Sequence, residues 1–493
     1  MSQPFILAID EGTTNVKAIA VGQTGEVLNK SSQPVDLAYP QAGWAEQDPD
    51  AIWTATQTVI QTCLTERKAD QLAGIAISNQ RESVLIWERS SGKALTPLIS
   101  WQCRRSETIC ADIAQKPQAY LVKAYTGSVI DPLFPASKIR WLLDHLEDGQ
   151  ARAESGELCV GTIDSWLVWN LTGGQQFVTD ASNASRYQLF NIYTQSWDPE
   201  LLDLYGIPLW CLPKVMPSSG ERGRTVGVQG MADGIPIMAQ AGDSHAALYG
   251  QGGFHAGVVK ATYGTGSSLM VRVDDVPKQD FGVSTTVAWD DGQPSLAMEG
   301  NITHTGAGIK FIARLLGIED IDELSRLAWS VEGSGGLFFV PALSGLGAPH
   351  WEPHARGIIT GLTDSSTPAH IARAAFESVV YQVADLFFAM QHAGGVTFKA
   401  LSVDGGPSQN RALMQLQADV LQVPILRSET AEISALGAAY LAGRALGWWP
   451  QYSDLDAIPK PVEVIEPDPA NTRIQDYYQQ WKMAIERARY QPH

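Results

Sequence analysis

Short apolar runs that break off into glycine-rich turns recur along this chain. Phe5 to Ile9 is unbroken hydrophobic sequence of strand type, and it stops at the tight turn Asp10-Glu-Gly-Thr-Thr14. Val16 to Val21 returns as a second strand, so the first twenty residues predict a β-hairpin. About half a chain length further on the pattern repeats: Gly257 to Thr262, the turn Gly264-Thr-Gly266, then Ser268 to Val273. Two related halves, each opening with a Gly/Thr hairpin, are what a duplicated α/β domain shows. Chance similarity of two short hairpins is the competing explanation.

The same alternation of run and turn places further elements. Leu72 to Ser78 reads as an apolar strand. Leu401-Ser-Val-Asp-Gly-Gly-Pro407 is a strand ending in Asp-Gly-Gly, and it leads into the amphipathic segment Asn410 to Leu421. Leu413, Leu416, Val420 and Leu421 share one helical face of that segment. A helix N-terminus after Gly-Gly suits a nucleotide phosphate. Ile433 to Gly443 is rich in small residues and predicts a closely packed helix. Ala247 to Gly253 reads as a flexible crossing between halves, with the boundary near 246–256, and Pro459 to Asp468 as a surface connection.

With 493 residues the chain is too long for one hydrophobic core, and two domains of about 250 residues follow. An apolar content of 44% with 18% charged residues marks a well-folded protein. The formal charge of −18 argues against nucleic acid, whose recognition needs clustered Lys and Arg. It leaves phosphorylated ligands open, because backbone N–H groups, Lys and Mg²⁺ hold anions inside acidic proteins. Five cysteines without a C-x-x-C pair point to neither a metal cluster nor a disulfide framework, so a reducing cytoplasm is expected. The N-terminus reads as a first strand and not a signal peptide, and no stretch is long enough to span a membrane.

The candidate chemistry lies in Ala241-Gly242-Asp243 and the loop Thr262-Tyr-Gly-Thr-Gly266 that follows it. A carboxylate in a Gly-flanked turn can take a proton from an alcohol. Backbone N–H groups around Gly264, Thr265 and Gly266 can hold the phosphoryl group that the alcohol attacks. Alone the pair is weak, since Gly-Thr-Gly is common in plain hairpins and Asp after Gly is common in turns.

Taken together the motifs resemble the FGGY carbohydrate kinases over the whole chain, and glycerol kinases among them. The matching signatures include Asp10-x-Gly-Thr-Thr14, Asn79-Gln-Arg-Glu82, Trp101-Gln-Cys-Arg-Arg105 and Asp180-x-x-Asn183-Ala-Ser185. Ala241-Gly-Asp243, Thr262 to Gly266, Gly345-Leu-Gly-Ala-Pro-x-Trp351, Asp404-Gly-Gly406 and Ala435 to Ala439 complete the series. None is specific alone; their shared order is. The resemblance implies an α/β protein of two duplicated actin-like, ribonuclease-H-like domains with a deep cleft between them. Residues 1–248 would then bind the polyol or sugar and 249–493 the nucleotide, with closure keeping water from the γ-phosphoryl group. It implies ATP and Mg²⁺ as cofactors, Asp10 as the carboxylate that places Mg²⁺, and Asp243 as general base. Thr13, Thr14 and Lys17, with Gly264 and Thr265, would hold phosphates. Gly306, Gly405, Gly406 and Asn410 would line the nucleotide. The family also implies a homodimer or homotetramer acting on a small molecule.

For the acceptor, the resemblance assigns Arg81 and Glu82 as hydrogen-bonding partners of adjacent hydroxyls and Trp101 as a flat apolar wall. The plain alternatives are a surface ion pair for Arg81 and Glu82 and a core aromatic for Trp101. Asp164 reads as structural, and His245 as a packing residue beside the base. Two positions depart from glycerol kinase: Leu133 stands where its motif has Tyr, and Ser244 where it has Gln. Glu11 likewise replaces Gln, and Lys17 replaces Arg. Loss of hydrogen-bonding groups from a polar pocket shifts selectivity. The expected activity is phosphorylation of a terminal hydroxyl of a short polyol, as in glycerol kinase. The competing acceptors are four- or five-carbon polyols or ketoses of the erythritol, pentitol, xylulose or ribulose type. An actin-fold polyol and nucleotide sensor without catalysis is the reading from another class.

Overall fold

The computed structural model describes residues 3–65 and 71–490. The chain divides into two compact units. The first comprises residues 1–254, 285–297 and 432–459, and the second 255–284, 298–431 and 460–493.

In the first unit, β1 (Phe5–Glu11) turns back into β2 (Asn15–Gly22), followed by β3 (Val27–Pro34). β4 (Leu72–Asn79) and β5 (Ile237–Gly242) complete a five-stranded sheet in the order β5-β4-β1-β2-β3. The hairpin β1–β2 is antiparallel, whereas β4 runs parallel to β1 and β5 parallel to β4. Burial on both faces explains why β1 reads as continuous apolar sequence and not as an alternating pattern. Register then decides what meets: Asp10 lies opposite Ser78, and Ala241 opposite the same Ser78 on its other side. Three parallel strands therefore deliver their carboxyl ends to one edge of the sheet, the usual place for a ligand in an open α/β sheet.

Two helices set the back of that sheet. α2 (Asp243–Gly250) starts where β5 ends, and α6 (Ile433–Ala445) packs against it and against β1, β4 and β5. They approach at Gly437, where a Cβ would stand 1.7 Å from the Ala246 carbonyl oxygen. The small-residue run predicted as a packed helix owes its composition to this contact. A separate helix, α1 (Pro135–His145), begins with proline at its first position, where the missing N–H costs nothing.

The second unit repeats the strand plan. β6 (Val258–Tyr263) and β7 (Ser267–Val273) form an antiparallel hairpin, with β8 (Pro294–Ile302), of which residues 298–302 belong to this unit, next to β7 in the sheet. β9 (Ala400–Asp404) runs parallel to β6, and β10 (Ile425–Ser428) parallel to β9. The order β8-β7-β6-β9-β10 reproduces β3-β2-β1-β4-β5. That shared order supports duplication over chance. α3 (Gly306–Leu315), α4 (Pro368–Gly394) and α5 (Arg411–Leu421) belong to this unit, α4 packing on both others.

Three local expectations are corrected. Asp243 is the first residue of a helix and not part of a free turn. Ala247 to Gly250 belong to that buried helix, so they are not a flexible crossing. The segment expected as a surface connection contains the edge strand β11 (Val462–Ile465), antiparallel to β10, with Ile465 buried. One buried side chain in a short, otherwise polar and proline-flanked stretch leaves too little pattern to reveal a strand.

Candidate active site

In the first unit the carboxyl edge of the sheet gathers the acidic residues. Asp10 is half-buried, and its Oδ1 accepts from the Ser78 hydroxyl at 2.7 Å. Burial pushes the Asp10 carboxyl up to about 6; the Ser78 bond and Lys17 oppose this, while the Asp243 charge adds to it. Glu11, fully buried, accepts from Gln80 Nε2 at 2.9 Å and is pushed up to about 8, chiefly by burial, with Asp10 and Asp243 contributing. Burial thus favours the neutral form of Glu11, the form nearest to a glutamine in charge and shape.

Asp243 opens α2, where the helix dipole favours a negative charge. Its Oδ1 accepts from the Ser244 N–H at 2.6 Å and lies 3.3 Å from Arg81 Nε. Arg81 and Glu82 are both buried, which excludes the surface-pair reading. Glu82 has a backbone φ of 61°, and its carboxylate accepts from Arg186 Nε at 2.6 Å. Ser244 is buried within α2. His245, also buried, has Nε2 3.4 Å from the Thr286 hydroxyl, and Asp164 is enclosed by donors from Thr162, Thr179 and Gln240.

Trp101 is half-buried and so not a core aromatic. Its indole Nε1 donates to the Thr13 hydroxyl at 3.0 Å, and that hydroxyl donates to Gln80 Oε1 at 3.3 Å. The Ser83 hydroxyl donates to the same Gln80 oxygen at 2.9 Å and accepts from the Trp101 backbone N–H at 3.1 Å. The circuit closes, locking the β1–β2 turn, the turn after β4 and the Trp101 turn together. Thr14 is exposed beside Thr13, and Lys17 faces Asp10 across the hairpin register. Leu133 is half-buried in an Asp131-capped turn, its N–H donating to Asp131 Oδ1 at 2.8 Å. Gln80, Ser83 and Arg186 were not singled out from sequence; Gln80 lay inside a matching motif, but its partners are distant in the chain.

The second unit holds the remaining candidates. The Gly264-Thr265-Gly266 loop closes through Gly264 N–H to Gly266 O at 2.8 Å. It lies against the start of α3: Gly306 N–H donates to Gly264 O at 3.1 Å, and Ala307 N–H to Thr265 O at 2.9 Å. The Gly306 amide is therefore engaged by the loop. At the end of β9, Gly405 adopts φ 92°, and a Cβ there would meet the Tyr263 carbonyl oxygen at 2.0 Å. A 3₁₀ turn, Gly406–Gln409, separates the exposed Gly405-Gly406 pair from α5. Asn410 caps α5, accepting from Leu413 N–H at 3.1 Å and donating to the Ser325 hydroxyl at 3.0 Å.

A sheet plan present twice, with acidic residues and Gly/Thr hairpins at the strand ends, defines the two-domain α/β class of actin-like, ribonuclease-H-like proteins. Sequence profiles of the N-terminal and C-terminal domains of the FGGY family of carbohydrate kinases match residues 5–250 and 259–446, and the chain belongs to that family. It is an ATP-dependent sugar or polyol kinase, which sets the sensor reading aside. The chain is 53% identical to the apulose kinase of Pectobacterium atrosepticum over all of both chains. Its identity to the glycerol kinase of Dechloromonas aromatica is 42%, covering 99% of this chain and 98% of that one. Among solved structures it resembles the Plasmodium falciparum glycerol kinase with ADP, at 29% identity, TM-score 0.91 and 99% coverage of each chain. Among the described residues no helix is long and apolar enough to cross a membrane.

Proposed function

We propose that this kinase transfers the γ-phosphoryl group of ATP to a terminal hydroxyl of a small ketose, apulose being the leading candidate. The observation that carries this reading is the 53% identity to an apulose kinase over the full length. The pocket agrees with it, since Leu133 and Ser244 replace the two hydrogen-bonding residues of the glycerol kinase motif. Identity of 42% to a glycerol kinase favours glycerol as the second reading.

In this reading residues 1–248 supply the acceptor site. Arg81 donates to one acceptor hydroxyl, Glu82 accepts from its neighbour, and the Trp101 face orients the carbon chain, with Leu133 and Ser244 setting the room around it. Asp243 takes the proton as the terminal oxygen forms its bond to the γ-phosphorus. The bond from phosphorus to the β,γ-bridging oxygen breaks, and ADP leaves with that electron pair. The nucleotide is assigned mainly to 249–493, through Gly264, Thr265, Gly306, Gly405, Gly406 and Asn410, with Thr13, Thr14 and Lys17 from the first unit.

The donor set fits Mg²⁺ brought in by the nucleotide. Among the described residues there is no cluster of three or more acidic, His or Cys side chains for a metal, and Asp10 is one carboxylate crowded by the charge of Asp243. One or two carboxylates plus phosphate oxygens and water is the usual magnesium shell, and Asp10 would be the protein ligand. Magnesium there would neutralise charge on the phosphate oxygens.

The test is ADP release with Mg-ATP against apulose, xylulose, ribulose, erythritol, the pentitols and glycerol. Preference for a ketose is the expected result. Faster turnover of glycerol than of every ketose refutes the proposal and selects the second reading.

A further inference from the structure

Lys138, in the first turn of α1, has no solvent exposure at all. Lysine is almost never fully buried unless a carboxylate pairs with it. Here both hydrogen bonds of the ammonium group go to backbone carbonyl oxygens, that of Leu133 at 2.5 Å and that of Glu82 at 3.3 Å. These carbonyls belong to two turns far apart in the chain, and one ammonium joins them.

The rest of the neighbourhood closes around this bond pair. The carboxylate of Glu82 is held by Arg186, and the Arg186 guanidinium lies 4.8 Å from the ring of Phe134. Phe134 is the residue preceding α1, next to Leu133. Glu82 is thus fixed at its carbonyl by Lys138 and at its carboxylate by Arg186, while its backbone sits in the left-handed region at φ 61°. A non-glycine residue holds such a conformation only where its surroundings over-determine it. Burial pushes the Lys138 ammonium down to about 8, opposed mainly by the charge of Glu82. The cation is thus costly, and a neutral side chain of similar length would fill the space at lower cost. What the ammonium supplies here is a donor to each of two carbonyls from one point.

We propose that Lys138 is a positioning residue that fixes the separation between Glu82 and Leu133, and so holds the frame within which the side chain at 133 selects the acceptor. Because it grips main-chain oxygens, the turn keeps its place whatever side chain stands at 133. The side chain alone then re-cuts the pocket. This inference rests on the reading that Glu82 and Leu133 line the acceptor site.

K138M keeps the volume and removes both bonds; K138Q keeps one amide donor group and guards against a K138M chain that does not fold. The readouts are KM for the ketose, KM for ATP, and the ratio of kcat/KM for ketose over glycerol, with E82Q measured beside them. Loosening a positioned group by an ångström costs up to roughly 100-fold. The expected result is a ketose KM raised about 10- to 100-fold with ATP KM within about twofold, and a lower ketose-over-glycerol ratio. Folded variants that keep the native ratio and ketose KM overturn the inference, as do equal rises in both KM values. If E82Q leaves the ketose KM unchanged, the site reading itself fails, and the inference with it.

Discussion

Arg81 Nε stands 3.3 Å from Asp243 Oδ1, tying the turn after β4 to the first residue of α2. The arrangement holds the proposed base by a buried cation on one side and by the helix start on the other. A buried guanidinium thus stands beside the carboxylate proposed to take the proton. D243N keeps the shape and cannot accept the proton. We expect kcat to fall about 10²- to 10⁴-fold with little change in acceptor KM, read from ADP release. A variant with more than about a tenth of native kcat would remove Asp243 from the chemistry.

Leu133 and Ser244 are the two proposed acceptor-site positions at which this chain departs from the glycerol kinase pattern. L133Y combined with S244Q should move the ratio of kcat/KM for glycerol over ketose upward by roughly 10- to 10⁴-fold. An unchanged ratio in an active double variant would mean that selectivity is set elsewhere.

The Thr13 hydroxyl both accepts from Trp101 and donates to Gln80. T13S retains the hydroxyl and should behave as the native enzyme. T13V leaves the indole N–H without its partner, and kcat/KM for the acceptor should drop by about tenfold. Equal behaviour of the two variants would show that the circuit does not govern the site.

Lys138 also predicts a pH effect on stability. Its ordinary value is 10.5 and its folded value about 8, so between those limits the unfolded chain binds a proton that the folded chain lacks. The stability difference, native minus K138M, should therefore stay level below pH 8. It should rise between pH 8 and 10.5 by at most roughly 3 kcal/mol. Urea unfolding of both proteins across that window measures it, and a flat or falling difference contradicts the assignment.

Gly437 meets α2 so closely that an added methyl would overlap the Ala246 carbonyl oxygen. G437A should cost about 3 kcal/mol or more and lower the melting temperature, since backbone cannot yield as a side-chain tip does. A native-like melting temperature would show that α6 shifts freely on α2.

Much of this protein was legible in its residues. The hairpins at Phe5 and Val258, the strand at Leu72, and the helices after Asn410 and Glu432 follow from local pattern: apolar runs, glycine turns and a 3.6-residue period act within a few residues of themselves. The candidate carboxylates stood out too, because Asp10 and Asp243 follow apolar runs and are flanked by glycine, although the helix that Asp243 opens was not read from that pattern. Only the tertiary structure decided what those residues touch. Strand order and register bring Ser78 to Asp10, and the first turn of α2 brings Asp243 to Arg81. The Gln80 circuit and the Lys138 clamp join turns separated by tens of residues, and no local pattern records such a meeting. Burial did the rest. It raised Glu11 and lowered Lys138, and burial belongs to the packed chain, not to any residue in it.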